Sequence, residues 1–303
     1  MPTNDTLVSI GLPVRNGAEF IEGAVTSILA QDHGDLELVI SDNASDDATE
    51  EMCREFARGD RRVRYHRQHE NIGLLNNFIR VQALASGKYF KWVGDDDWLA
   101  PAYLTRCLES FAEDQRLILV TTQQAYVSPD GRSLTSGYTE EHLRSDLPVE
   151  RFAEMLRLLN ESYLLIDPIY GVMRREPAAS IPRRNMLRED ETFAAKLALM
   201  GPFGYVPEIL AYRRSRHFTR LPQIARRLGV PAWHARVATV LQCRELLAYV
   251  REAALSPEER RLARVAVTRL YARRHMRTTL ARGRKLRALV AARTGRASPP
   301  PLR

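Results

Sequence analysis

The stretch GKYFKWVGDDDWLAP, residues 87–101, sets three consecutive carboxylates, Asp95, Asp96 and Asp97, directly behind a strand-like run, Tyr89–Val93, that stops at Gly94. Like charges at the end of a buried strand repel one another and lose hydration, so the arrangement costs free energy unless a positive charge offsets it. A divalent cation can supply that charge. Mg2+ or Mn2+ takes one or two protein carboxylates and fills its remaining positions with phosphate oxygens and water. A solvated acidic turn over the positive end of the helix that Pro101 opens is the competing reading of the same residues.

Working outward, strand-like and helix-like segments alternate. Leu7–Leu12 precedes a helical pattern over 18–31, Leu36–Ser41 precedes a helix after Ser45, and Val63–Arg67 precedes one over 76–85. Tyr89–Val93 and a helix after Pro101 continue the series, which reaches Leu117–Thr122. Strands separated by amphipathic helices predict an α/β fold, a mostly parallel, Rossmann-like doubly wound sheet flanked by helices. In such sheets ligands bind outside the carboxyl ends of the strands. The turns after Leu12, Ser41 and Val93 are therefore the places to look for chemistry. Pro13-Val14-Arg15-Asn16-Gly17 follows the first strand, and Asp42-Asn43-Ala44-Ser45 follows the second, with Ser45 read as a helix cap. Asp42 and Asn43 suit the edge of a nucleobase or ribose hydroxyls, although an Asp-Asn-x-Ser turn is more often only a turn.

Composition narrows the class. With 303 residues the chain can bury a large core. Three cysteines, Cys53, Cys107 and Cys243, lack C-x-x-C spacing, which argues against a disulfide framework and a zinc knuckle and fits a reducing, cytoplasmic setting. The first residues read as a strand and not as a signal peptide, and no apolar run of about 18 residues suggests a membrane span. The net charge of +8 is uneven: residues 222–303 hold 19 Lys/Arg against 4 Asp/Glu, a local +15 beside −7 for the rest.

Taken together, VSIGLPVRNGAEFIEGAVTSILAQ, LELVISDNASDDAT and ENIGLLNNFIRVQALASGKYFKWVGDDDWLAPAYL resemble the nucleotide-sugar half of a family 2 glycosyltransferase with the GT-A fold. LREDETFAAKLALMGPFGYVPEILAYRRSRH resembles its acceptor-side segment. The resemblance spans about residues 7–217 and implies an inverting transfer from a nucleotide sugar, UDP or dTDP favoured, to a hydroxyl on a glycan or lipid-linked acceptor. It implies that Pro13, Val14 and Asn16 line the nucleotide pocket, that Asp42 and Asn43 meet the base, and that Asn71, Gly73 and Asp95 border the donor. Mg2+ or Mn2+ would be held by Asp96 and Asp97, with His217 able to approach. Gly94 stands where family members often carry an acid, so the register of the acids is open by one position. Asp190 matches the catalytic base and Glu189 is the second candidate; without the upstream motifs, REDE reads as an acidic first helical turn.

The expected organisation is a catalytic domain over 1–221, divided near 125 into donor and acceptor halves, then a basic α-helical extension over 222–292 and a frayed tail over 293–303. Trp233, Val237, Val240, Leu241, Leu247 and Val250 keep helical spacing, and Ser256-Pro257-Glu258-Glu259 is a capping box. The arginine-rich helices have three readings: peripheral contact with an anionic membrane, contact with nucleic acid, which ranks last, and a solvated face packed on the catalytic domain. Two other functions remain open from sequence. One is a nucleotidyltransferase, although LPVRNGAE lacks the lysine of a phosphate loop. The other is a non-catalytic basic binding protein.

Overall fold

A computed structural model of the chain describes residues 6–135, 137, 141–161, 168–214 and 221–294, with side chains to Met276 in the last helix. The first half alternates as β1 (Val8–Val14), α1 (Ile21–Leu29), β2 (Leu36–Asp42), α2 (Thr49–Gly59), β3 (Val63–Arg67), α3 (Leu74–Leu84) and β4 (Tyr89–Trp92). These four strands pair in parallel in the order β3-β2-β1-β4. Every residue of β1 and β2 is buried, as expected for strands covered on both faces. Their register runs from Val8↔Leu36 to Val14↔Asp42, so the two strands end level and their turns lie side by side. Pro13 fits a central strand because pairing of β1 with β4 has already ended at Gly11↔Trp92, leaving no ladder bond for its missing N–H on that side.

The second half comprises β5 (Trp98–Leu99), α4 (Tyr103–Glu113), β6 (Leu119–Val127), β7 (Ser133–Thr135), α5 (Pro148–Glu161), β8 (Val172–Arg174), α6 (Arg175–Ala179), α7 (Glu189–Met200) and β9 (Phe203–Arg214). Among the described residues the sheet has nine strands, ordered β3-β2-β1-β4-β8-β6-β9-β5, with β7 beside β6. β6 and β9 are parallel, whereas β8 runs antiparallel to both β4 and β6, and β5 antiparallel to β9. The antiparallel joins come from strands of two or three residues, too short for a period-2 pattern to register.

Strand alternation divides the interior in two. Ile10, Leu12, Leu38 and Ile40 point into a core shared with α1 and α4. Val39, Phe90, Trp92 and Leu119 point the other way, into a core shared with α5 and α7. The C-terminal helices, α8 (Leu221–Arg227), α9 (His234–Glu252) and α10 (Pro257–Thr294), follow. Leu246 and Val250 of α9 and Ala263, Val267 and Leu270 of α10 belong to the same core as Phe152 and Phe193. The basic extension thus completes the catalytic core instead of folding beside it. Its capping box forms as expected: Ser256 N–H donates to Glu259 Oε2 at 2.8 Å and Glu259 N–H to Ser256 Oγ at 3.2 Å. Of the residues whose spacing marked α9 in the sequence, Val250 is fully buried. Gln242, Cys243 and Leu246 face inward, while Trp233, Val240 and Leu247 are exposed. Of the expected tail over 293–303, residues 293 and 294 close α10, and residues 295–303 lie outside the described residues.

Candidate active site

The turns after β1 and β2 are built as one unit. Asn16 N–H donates to Ser45 Oγ (3.0 Å), Gly17 N–H to Thr49 Oγ1 (2.9 Å) and Asp46 N–H back to Asn16 Oδ1 (3.0 Å). Ser45 is therefore not the cap of α2, which starts at Thr49; its hydroxyl bridges the two turns and donates to Asp42 Oδ1 at 2.6 Å. Asp42 is fully buried. Its Oδ1 also accepts from Ser45 N–H (2.9 Å), its Oδ2 from Tyr65 Oη (2.7 Å), and Arg67 Nε stands 3.7 Å away. Burial first, and then the bond to Asp42, push the Tyr65 hydroxyl's pKa up. Burial likewise drives the Cys53 thiol to about 12, helped by the nearby Asp42 charge, so that thiol is inert.

The Asn71–Gly73 segment is held by Asn43. Asn43 Nδ2 donates to Asn71 Oδ1 (2.8 Å), and Asn43 Oδ1 accepts from Ile72 N–H (2.8 Å). Asn71 Oδ1 also takes Gly73 N–H at 2.9 Å, and Gly73, with φ of +88°, turns the chain into α3. Asn77 reaches back from α3, accepting from Ser41 Oγ (2.7 Å) and donating to Ser41 O (2.8 Å). The expected donor residues Pro13, Val14, Asn16, Asp42, Asn43, Asn71 and Gly73 thus gather at one sheet edge. Asp42 and Asn43 have most of their bonding capacity committed to holding it together.

The acid loop meets this edge from the end of β4. A Cβ placed on Gly17 would lie 2.8 Å from Asp95 Oδ2, so the Asp95 side chain packs directly on the turn after β1. A Cβ placed on Gly94 would lie 2.8 Å from Asp97 Oδ2 and 3.3 Å from Asp96 Oδ1. Two carboxylates therefore share the space over Gly94, where a side chain would have to displace them. Among the described residues no three His, Cys, Asp or Glu side chains converge as a complete metal cage. A pair of carboxylate oxygens beside an open strand end is the donor set that Mg2+ or Mn2+ uses when substrate phosphates complete its shell, so these residues fit such an ion. His217 lies outside the described residues.

Arg213, at the end of β9, was not singled out by the sequence patterns above. Its Nε stands 3.3 Å from Asp97 Oδ2, an ion-pair distance without hydrogen-bond alignment, and its guanidinium lies 3.7 Å from the Tyr170 ring centroid. Lys91, buried in β4, donates to the Tyr170 carbonyl and to Tyr103 Oη. A lysine inside an apolar strand was the available signal for this cluster. Trp98, which could have offered a face to a sugar, stacks on Tyr212 with centroids 5.5 Å apart and planes 3° from parallel.

The first turn of α7 sorts its three acids. Glu189 is held by Arg183 through Nε (2.7 Å) and Nη2 (2.5 Å). Arg183 in turn lies over the rings of Trp92 (5.1 Å) and Phe193 (4.7 Å), which fastens α7 to the end of β4. Glu191 accepts from Arg188 (2.8 Å), Gln242 (3.0 Å) and Arg274 (2.6 Å). Asp190 is exposed, with Oδ1 accepting from Glu191 N–H at 2.9 Å. The described non-glycine residues with left-handed backbone are Asn16 (φ 55°) in the turn after β1, Ala44 (φ 56°) in the turn after β2 and Arg188 (φ 63°) just ahead of α7. Each such residue costs on the order of 1 kcal/mol, a cost that backbone strain at functional turns commonly carries.

The profile of glycosyl transferase family 2 matches residues 9–181, which contain both donor turns and the acid loop. The chain is 33% identical over 153 residues to chondroitin synthase of Pasteurella multocida (strain Pm70), covering 50% of this chain and 16% of that protein. It is 22% identical over 231 residues to the putative glycosyltransferase EpsH of Bacillus subtilis (strain 168), covering 76% of this chain and 60% of that protein. The chain thus spans only a minor part of the synthase's length. Among solved structures, S. aureus TarS 1–349 in complex with UDP-GlcNAc superposes with a TM-score of 0.62 at 14% identity, over 88% of this chain and 72% of that one. The mannosyltransferase PcManGT from Pyrobaculum calidifontis, in complex with GDP-Man and Mn2+, gives 0.52 at 16% identity, over 88% and 85%. Identities this low speak to the fold alone, and that fold is GT-A. With the family profile running from β1 through the acid loop and beyond β8, the chain belongs to glycosyl transferase family 2.

Proposed function

We propose that this chain is a metal-assisted, inverting glycosyltransferase that moves a sugar from a UDP- or dTDP-sugar to a hydroxyl of a glycan or glycolipid acceptor. The observation that carries the reading is the convergence of Asp96 Oδ1 and Asp97 Oδ2 over Gly94, at the strand end beside the donor turns. Family membership supports the reaction class, and the nucleotide sugars bound by TarS and PcManGT support the donor class.

In this reading the base and ribose lie along the edge formed by Pro13, Val14, Asn16, Asn71 and Gly73, with Asp42 and Asn43 keeping that edge in shape. Asp96 and Asp97 hold Mg2+ or Mn2+, which when bound supplies Lewis-acid neutralisation of the departing diphosphate. Arg213, beside Asp97, adds a fixed positive charge on the same side. Asp190 removes the acceptor's proton as its oxygen attacks the anomeric carbon from the face opposite the nucleotide, which inverts the configuration. Glu189 is unsuited to that task because both its oxygens are held by Arg183.

The test is nucleotide release from a panel of UDP-, dTDP- and GDP-sugars with Mn2+ or Mg2+, paired with thermal melting. The native chain should be stabilised by nucleoside diphosphate only when metal is present. Asp96→Asn should lose that metal-dependent increment and at least about 100-fold of the release rate. A native chain that shows neither metal-dependent stabilisation nor release with any donor would sink the proposal.

A further inference from the structure

The outer face of α9 has a composition that packing does not explain. Val240, Arg244, Leu247 and Arg251 recur at intervals of four, three and four residues, which places them on one line along the helix. That line points away from the protein: Val240 is 49% and Leu247 39% exposed, while Gln242, Leu246 and Val250 on the opposite side are fully buried. Trp233 caps the short first turn that precedes a kink at Val237 and is 56% exposed. A groove of about 910 Å³ opens along the same face, bordered by Arg184 and Met186 ahead of α7 and by Tyr271 of α10.

We infer that this face docks on an anionic lipid bilayer, with Val240, Leu247 and Trp233 entering the headgroup boundary and Arg184, Arg244 and Arg251 meeting lipid phosphates. Aliphatic and aromatic side chains interleaved with arginines on one helical face match a surface whose apolar and anionic layers lie a few ångströms apart. Charge complementarity points the same way: three arginines, Arg184, Arg244 and Arg251, border the groove against one acid, Glu245, which Lys196 and Arg184 already neutralise at 2.7 and 3.1 Å. A nucleic acid would satisfy the arginines but leave Val240 and Leu247 without apolar partners. A second copy of the chain fits worse. Two-fold association sets a face against itself, and here it would bring the arginines of one face onto those of the other. The inference goes beyond the proposed transferase reading and does not depend on it.

Vesicle flotation of the full chain tests it, using phosphatidylcholine alone and phosphatidylcholine with one third phosphatidylglycerol. The native chain should float with the anionic vesicles, remain behind with the neutral ones, and show a blue shift of Trp233 emission that Trp233→Phe removes. Val240→Ser/Leu247→Ser and Arg244→Gln/Arg251→Gln should each lower binding about 10-fold while melting and donor turnover stay native. Failure of the native chain to float on anionic vesicles overturns the inference. So does flotation that these variants leave unchanged, or that proceeds without a Trp233 shift. Self-association that Val240→Ser/Leu247→Ser abolishes, without vesicle binding, would assign the face to a second copy instead.

Discussion

Three neighbouring acids at the start of α7 have different partners, and this difference makes the base assignment testable one residue at a time. Glu189 is tied to Arg183 and Glu191 to Arg188, Gln242 and Arg274, whereas Asp190 is exposed. Asp190→Asn should reduce transfer by about 10³-fold, within the range general-base removal produces, and leave the dissociation constant for nucleoside diphosphate within a factor of two. Glu189→Gln should instead lower the melting temperature, because it frees the Arg183 guanidinium buried between Trp92 and Phe193. Calorimetric titration beside a transfer assay separates the two outcomes. A fully active Asp190→Asn would remove that residue from the chemistry. At this scale the sequence was partly legible. Asp95–Asp97 announce themselves because adjacent like charges need an explanation, and the REDE run marks a helix start in any case. Pairs such as Arg213 with Asp97 or Tyr65 with Asp42 join residues 116 and 23 positions apart, and no local pattern carries them.

Elements with a clear period were readable: β3 occupies the expected residues, α7 starts at the REDE turn, and α1 to α4 follow their strands. β5 and β8 escaped notice because two or three residues have no period, and the spacing that marked α9 as a helix did not tell its inward side because that helix carries apolar residues on two faces. The long-range fastening of α7 was also invisible. Arg274 of α10 donates to Glu191 (2.6 Å), to Gln242 of α9 (2.5 Å) and to Asn160 of α5 (3.1 Å), so four helices meet one residue away from Asp190. The guanidinium is largely buried and positions the α7 turn instead of touching substrate. Arg274→Met should destabilise the fold by about 2 kcal/mol, below the full value for a buried pair because Glu191 keeps Arg188 and partial exposure. It should also lower kcat about 10-fold with the donor KM unchanged at an assay temperature where melting shows the variant fully folded, so that a smaller active fraction does not account for the loss. Arg274→Lys should recover part of both. Unaltered kcat in a folded Arg274→Met would confine the residue to a structural role.

Over the whole molecule, the sequence's change of charge near residue 222 suggested a boundary, because composition shifts often accompany linkers. Charge, however, records what the surface faces, and burial records what folds together. Leu246, Val250, Val267 and Leu270 lie in one core with Phe152, Phe193 and Trp92, so the basic helices and the acceptor-side half exclude water from the same interior. The donor-side core on the other face of the sheet shares its strands with that interior, which couples all three parts. Leu246→Ala removes a fully buried side chain from this junction and should cost about 2–4 kcal/mol, the range for leucine cavities in packed cores. The loss should lower the melting temperature by about 3–6 °C, given an unfolding entropy of about 2.1 cal/mol/K per residue. Far-UV circular dichroism, which samples every helix, and emission from the core residue Trp92 in a Trp98→Phe/Trp233→Phe background should then move together through one transition. If the helical signal were lost at a lower temperature while Trp92 remained native, α8 to α10 would be a separate folding unit, and the continuity of the core across residue 222 would have no energetic meaning.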